Sequence, residues 1–374
     1  MSQTRLFLYG TLRDAELFKI VAGVPLAARP ARLAGWRQVG CDGGRYPMLS
    51  SGGTAEGLVV EVDPATLTRL DFYETGFGYR RDAAMVETEA GPAEAQVYFC
   101  DPGEVAGDAP WRLDDWQARF ADLSREAAVE YMRLFGREAP GLAASRYGQI
   151  LSRAACRIAA RRHPSPSDIG PRMEGGAVAL EAMDEPHVGY FALRRDTLRF
   201  PTFGGGMSET VTRESLVAGD AVTVLPYDPE ADTVLLLRQW RHGPFVRDDP
   251  NPWTLEPVAG RIDPGETPEE TAHREMEEEA GIAPLRLEHM ATYYPSPGPF
   301  SEHVISYLGL ARLDGLDGQV SGLDSEAEDI MLHVVTFDAL MEMVASGAAN
   351  TGTLVLSALW LARERERLRR SGFS

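Results

Sequence analysis

Cysteine is scarce in this sequence. Its 374 residues include three, Cys41, Cys100 and Cys156, at spacings that fit neither a zinc site nor a disulfide framework. They read as small, buried or partly exposed thiols of a reducing compartment. Long apolar runs are missing as well. No stretch reaches the roughly 18 apolar residues of a membrane span. The opening MSQTRLFLYGTLRD has no basic segment followed by a long apolar run, so no signal peptide is expected. These expectations place the protein in the cytoplasm, without a membrane partner. Basic charge is also short: 37 Lys and Arg stand against 56 Asp and Glu, a net charge of −19. A nucleic-acid-binding surface needs a basic footprint, so none is expected. Anionic small molecules stay open as ligands, because a metal ion and a few arginines reverse the field locally. No internal repeat at a solenoid period is present.

The chain is long for one domain and comfortable for two. Residues 1–112 read as short strands broken by turns: Leu6 to Tyr9 ending at Gly10, Gly57 to Val62 closed by Asp63-Pro64, and Ala95 to Phe99 closed by Asp101-Pro102-Gly103. Residues 113–172 change character. Trp116, Phe120, Leu123, Ala127, Tyr131 and Leu134 recur at helical spacing, and a second helix runs from Ile150 to Arg162. A Pro/Gly-rich linker from Pro164 to Gly176 follows, so 113–172 reads as a helical connector. In residues 173–374, strands are expected at 221–225, 233–237, 303–310 and 330–335. Helices are expected at about 268–280 and through Leu354 to Leu361.

The helix at 268–280 carries the strongest chemical signal. Thr267 and Glu270 make a capping box, Pro268 occupies the first helical position, and Gly281 stands just past the end. Glu275, Glu278 and Glu279 fall on roughly one face. Three like charges on a helix face are usually a solvated surface. A divalent cation would turn their repulsion into attraction, and clustered carboxylate oxygens suit magnesium.

The flanking residues decide between these readings. Gly260, then Glu266, then Arg274-Glu275-Met276 and Glu278-Glu279, then Gly281-Ile282 resemble the full Nudix box at every position. The resemblance implies a Nudix α/β/α sandwich with the box as loop–helix–loop. It implies magnesium, with manganese a substitute, held by Glu275, Glu278, Glu279 and the carbonyl of Ala259. Gly260, Glu266, Arg274 and Gly281 are structural in it, Arg274 and Glu266 pairing to hold the loop on the helix. Leu225-Pro226-Tyr227-Asp228-Pro229, Gln239, Glu256-Pro257-Val258-Ala259-Gly260, Ser296-Pro297-Gly298 and Glu326 to Ile330 are similar to the ADP-ribose pyrophosphatase branch, as is Pro297 sixteen residues after Gly281. That branch implies Glu326 as general base and Glu328 as a second loop carboxylate near the metals. It implies Arg213 and Arg241 on phosphates, with Glu256 and Glu302 at the substrate. Tyr190 would stack on adenine, or else be an edge-strand aromatic that Phe191 replaces. It also implies a homodimer formed through this domain.

The amino-terminal half has its own resemblance. Leu8-Tyr9-Gly10-Thr11-Leu12, Tyr46-Pro47, Leu70 to Glu74 and Tyr79-Arg80-Arg81 are similar to the gamma-glutamylcyclotransferase-like or AIG2-like family, a small β-barrel with helices. There the backbone of Tyr9, Gly10, Thr11 and Leu12 would hold a gamma-glutamyl compound and Glu74 would act as acid/base, suited by a raised carboxyl pKa. The competing reading pairs Glu74 with Arg80 or Arg81 in a domain used for packing or ligand sensing. Some two-domain proteins of this arrangement carry a tellurite-resistance label, which implies no mechanism.

The expectation is a two-domain α+β and α/β protein whose second domain hydrolyses the pyrophosphate of ADP-ribose, or a related nucleoside diphosphate sugar, to AMP and ribose 5-phosphate. The alternatives are a degenerate domain that senses a nucleotide, and a Nudix hydrolase for another nucleotide. The intact Glu275, Glu278 and Glu279 speak against a sensor.

Overall fold

The computed structural model describes residues 3–100, 106–166, 169, 175–323 and 327–373. It divides into two units, residues 1–165 and 166–374. No helix among the described residues is long and apolar enough to cross a membrane.

The strands of the first unit are β1 (Thr4–Leu8), β2 (Ala28–Cys41), β3 (Tyr46–Val62), β4 (Arg80–Thr88), β5 (Gly91–Phe99) and β6 (Ala106–Pro110). They follow the order β3-β1-β5-β4-β2-β6. A further β2–β3 pairing closes five of them into a barrel, which leaves those strands no free edge. Alternation along each strand sends Phe7, Leu33, Leu49, Val59, Val86 and Val97 into one buried cluster. Helices α1 (Ala15–Ala22), α2 (Pro64–Thr75), α3 (Leu113–Tyr131), α4 (Pro140–Ser145) and α5 (Tyr147–Arg162) complete the unit. Asp14 caps α1 through the Leu17 amide and takes Arg125 of α3 at 2.6 Å. Helices α3 and α5 pack on each other, with Glu130 and Arg153 buried between them as an ion pair at 2.7 Å. Thus the helices that the sequence sets apart as a connector over 113–172 pack within the first unit.

The second unit has a three-stranded antiparallel sheet of β7 (Ala179–Val188), β8 (Ala192–Arg199) and β9 (Val211–Val217). Its larger sheet is mixed: β10 (Ala221–Asp228), β11 (Thr233–Trp240), β12 (Trp253–Glu256), β13 (Val258–Arg261), β14 (Arg286–Tyr293), β15 (Val304–Leu310), β16 (Val320–Ser321) and β17 (Ile330–Thr336). The helices are α6 (His242–Val246), α7 (Pro268–Ala280), α8 (Phe337–Ser346) and α9 (Gly352–Ser371).

Side-chain parity explains the layering. Val222, Val224, Leu235, Leu237, Ile330 and Leu332 pack on Ala272 and Met276 of α7. The alternate residues Leu225, Tyr227, Val234, Leu236, Leu308 and Leu310 pack on Phe337 and Leu340 of α8 and on Leu354, Ala358 and Leu361 of α9. This is the expected α/β/α sandwich. Its central hairpin is splayed. Strands β10 and β11 pair only next to their turn, at Tyr227–Val234 and Asp228–Thr233. Beyond it β13 takes over β10 at residues 221–224, and β12 takes over β11 at 237–240. Pro257, which has no N–H to give to a ladder, sits in the crossing between β12 and β13. The split therefore displays Glu256 to Gly260 beside α7.

Candidate active site

Helix α7 is set by its ends. The Thr267 hydroxyl accepts from the Glu270 amide while Glu270 accepts from the Thr267 amide, and Gly281 takes the left-handed conformation at φ 64°. The apolar side of α7 enters the core, and the carboxylates occupy its margin. Glu275 and Glu279 are buried, and Glu278 is half-buried.

Arg274 organises this cluster. Its guanidinium reaches both oxygens of Glu266 at 3.0 Å, Glu275 at 2.6 Å and Glu278 at 3.0 Å, and it donates to the Arg261 carbonyl at 3.1 Å. Its hydrogen bonds to Glu266 raise its pKa further and hold that of Glu266 low. Gly260 lies against the cluster: a Cβ there would meet the Glu275 carboxylate at 1.8 Å. Glu279 is 2% exposed and accepts from the Ala259 amide at 2.9 Å. Burial pushes its carboxyl up to about 8, and the nearby charges of Glu328 and Glu275 add to the shift.

Arg241 and Glu256 form a bidentate pair at 2.8 to 3.2 Å, and Thr254 donates to the same Glu256. Arg241 also feels the charges of Glu279 and Glu328. So α7, the end of β11, the β12–β13 crossing and the loop before β17 gather Glu275, Glu278, Glu279, Ala259, Gly260, Arg241, Glu256 and Glu328. Glu328 accepts from the Leu323 amide at 3.4 Å. Glu326 lies outside the described residues.

Other expected site residues lie on different elements. Arg213 is exposed on β9 and donates to a backbone carbonyl. Tyr190, 59% exposed, follows β7. The Arg261 guanidinium lies 3.9 Å from its ring centre, a contact that the sequence reading missed. Burial raises the pKa of Glu302 while Arg261 opposes the shift.

Do these residues fit a metal? Among the described residues, no three His, Cys, Asp or Glu side chains are gathered to hold one as they stand. Glu275 and Glu278 are turned onto Arg274 instead. Their chemistry does fit. All donors are oxygens, and burial, with a smaller contribution from the charges of Glu328 and Glu275, raises the Glu279 carboxyl, a crowding of acidic groups that a divalent cation would relieve.

The first unit has a separate cavity of about 360 Å³. Tyr9, Gly10, Thr11, Leu12 and Glu74 line it. Tyr46 and Tyr79 of the same motifs also line it, as do Arg45 and the thiols of Cys41 and Cys100, to which the sequence reading gave no site role. Burial pushes the Glu74 carboxyl up to about 8. The competing ion pair fails for Arg81, whose guanidinium engages Asp71 at 2.9 and 3.2 Å.

Residues 218–354 match the family described as NUDIX domain. Residues 6–118 match the family described as Gamma-glutamyl cyclotransferase, AIG2-like. The ADP-ribose pyrophosphatase of Haemophilus influenzae is 37% identical over 186 residues, which cover 49% of this chain and 85% of that protein. This chain is a Nudix hydrolase. The ADP-ribose pyrophosphatase of Escherichia coli (strain K12) is 34% identical, over 51% of this chain and 91% of the relative. A GDP-mannose pyrophosphatase of Enterobacter is 29% identical, over 46% and 88%. These alignments span about half of this Nudix hydrolase, and the AIG2-like match covers a separate stretch at its amino terminus.

Proposed function

We propose that the second unit hydrolyses the pyrophosphate bond of ADP-ribose, giving AMP and ribose 5-phosphate. The observation that carries this reading is the carboxylate margin of α7 set beside the Arg241–Glu256 pair. The names of the relatives that match over most of their length support ADP-ribose. The relatives named for GDP-mannose keep related nucleoside diphosphate sugars as secondary substrates.

Magnesium, or manganese in its place, would be held by Glu275, Glu278, Glu279 and the Ala259 carbonyl, supplying charge neutralisation on phosphoryl oxygens and a more acidic bound water. The chain's own residues do the rest. Glu275 and Glu278, held by Arg274 in this structure, and Glu279 would be the carboxylates that hold the cation. Arg241 and Arg213 hold phosphate oxygens, a task suited to forked guanidinium donors. Glu256 orients Arg241. Tyr190 stacks on the base, and Glu302 contacts the substrate. Glu326 accepts the proton of the attacking water, with Glu328 beside it. The enzyme works as a homodimer through this unit, in which Tyr190 reaches the partner's site.

The test is Glu279→Gln in the full chain. Magnesium-dependent turnover of ADP-ribose should fall by roughly two orders of magnitude or more while the thermal transition persists. Unchanged turnover in the folded variant would remove the assignment.

A second reading concerns the first unit. We propose that Glu74, whose carboxyl burial pushes up to about 8, acts as acid/base on a gamma-glutamyl compound held at Tyr9 to Leu12; the cavity that these residues line supports this reading. Loss of such turnover in Glu74→Gln, with ADP-ribose hydrolysis retained, is the expected result.

A further inference from the structure

Strand β11 ends in Gln239 and Trp240, then Arg241. Gln239 has the parity of Leu235 and Leu237, so it lies on the sheet face covered by α7. Its cross-strand partner on β12 is Thr254, whose hydroxyl donates to Glu256. On the other side, the pairing of β11 with β17 stops at Arg238–Met331, one residue short of Gln239. The loop carrying Glu328 precedes β17. Gln239 thus sits at the split end of β11, between Thr254 and the start of β17.

Gln239 is 5% exposed, yet its Nε2 has no hydrogen-bond partner among the described residues. The neighbouring polar groups are satisfied: Thr254 and Arg241 both engage Glu256. A buried amide donor left unmade is costly, and leucine or methionine would fill the same space without that cost. Such a group persists where a ligand supplies the missing acceptor. The electrostatic reach of Arg241 to Glu279 and Glu328 puts this end of β11 beside the carboxylate cluster.

We infer that Gln239 is a further substrate-binding residue, whose Nε2 donates to a pyrophosphate oxygen of the bound nucleoside diphosphate. The inference rests on the reading of the second unit as a pyrophosphatase. A neutral donor suits this position. Arg241 already supplies positive charge there, and a second cation would compete with the metal for the same oxygens.

The experiment uses the full chain and the near-isosteric Gln239→Met, with Gln239→Leu as a second variant should the first fold poorly. Four quantities are measured: the thermal transition without ligand, the affinity for inorganic pyrophosphate with magnesium, and KM and kcat for ADP-ribose. Loss of the donor should raise the transition temperature, weaken pyrophosphate binding about tenfold, and raise KM about as much with kcat little changed. Unchanged pyrophosphate affinity overturns the inference. So does a lowered transition temperature with unchanged affinity, since the amide then serves an internal water. If wild type binds pyrophosphate but does not hydrolyse ADP-ribose, the pyrophosphatase reading fails, and the affinity comparison still decides the role of Gln239.

Discussion

At the scale of single residues, close approach governs the site. Gly260 is fixed by the Glu275 carboxylate lying against it, and no side chain fits without moving that carboxylate. Gly260→Ala should therefore lower turnover about a hundredfold and displace Glu275, with a stability loss on the order of 1–3 kcal/mol; parallel kinetics and melts check both. Glu74 gives a pH signature in the other unit. Its carboxyl stays protonated to about 8 when folded, against an ordinary value of 4.5. Between those values the folded chain holds a proton that the unfolded chain has released, so stability falls as pH rises through the window and levels off above it. Glu74→Gln removes this dependence. Its melting temperature relative to wild type should climb steadily from pH 5 to pH 8 and then stop climbing. The carboxylates of the box were legible in the sequence because their spacing is local. Arg261 over Tyr190 and the orphaned amide of Gln239 were not, because each depends on strands brought together across the fold.

At the scale of elements, α7 was readable end to end, since its cap, first-turn proline and terminal glycine are all short-range devices. Thr267→Ala removes half of the capping box and should cost about 1 kcal/mol, read in a denaturation midpoint, with little effect on KM. Met276→Ala acts through tertiary packing on Val224 and Leu235 and should cost about 2–5 kcal/mol by the same measurement. The splayed hairpin was less legible. Both of its strands appear in the sequence as apolar runs, yet nothing local says that they separate after two residue pairs. Separation follows from the competing partners β12 and β13, which arrive later in the chain.

At the scale of the whole molecule, the two units match separate families and carry separate candidate sites. The helical faces of 113–162 have their packing partners in the first unit, which the sequence could not settle because an amphipathic pattern names no partner. A chain starting at Pro166 should therefore stay soluble, dimerise and hydrolyse ADP-ribose at close to the full-length rate. Sedimentation and steady-state kinetics on both chains check this. A soluble dimer without turnover would mean that the first unit contributes to the reaction.

The position of Arg274 has a consequence for life without metal. A cluster of carboxylates that depends on a cation for neutrality would come apart when the cation is withdrawn, as small metal-nucleated domains do. Here a counter-ion is built into the helix and already spans Glu266, Glu275 and Glu278. Scarcity of the divalent cation should then idle the enzyme without unravelling it. A chelated sample should keep its thermal transition and recover full turnover when metal is returned, so that catalysis, and not survival of the fold, follows the supply of the ion.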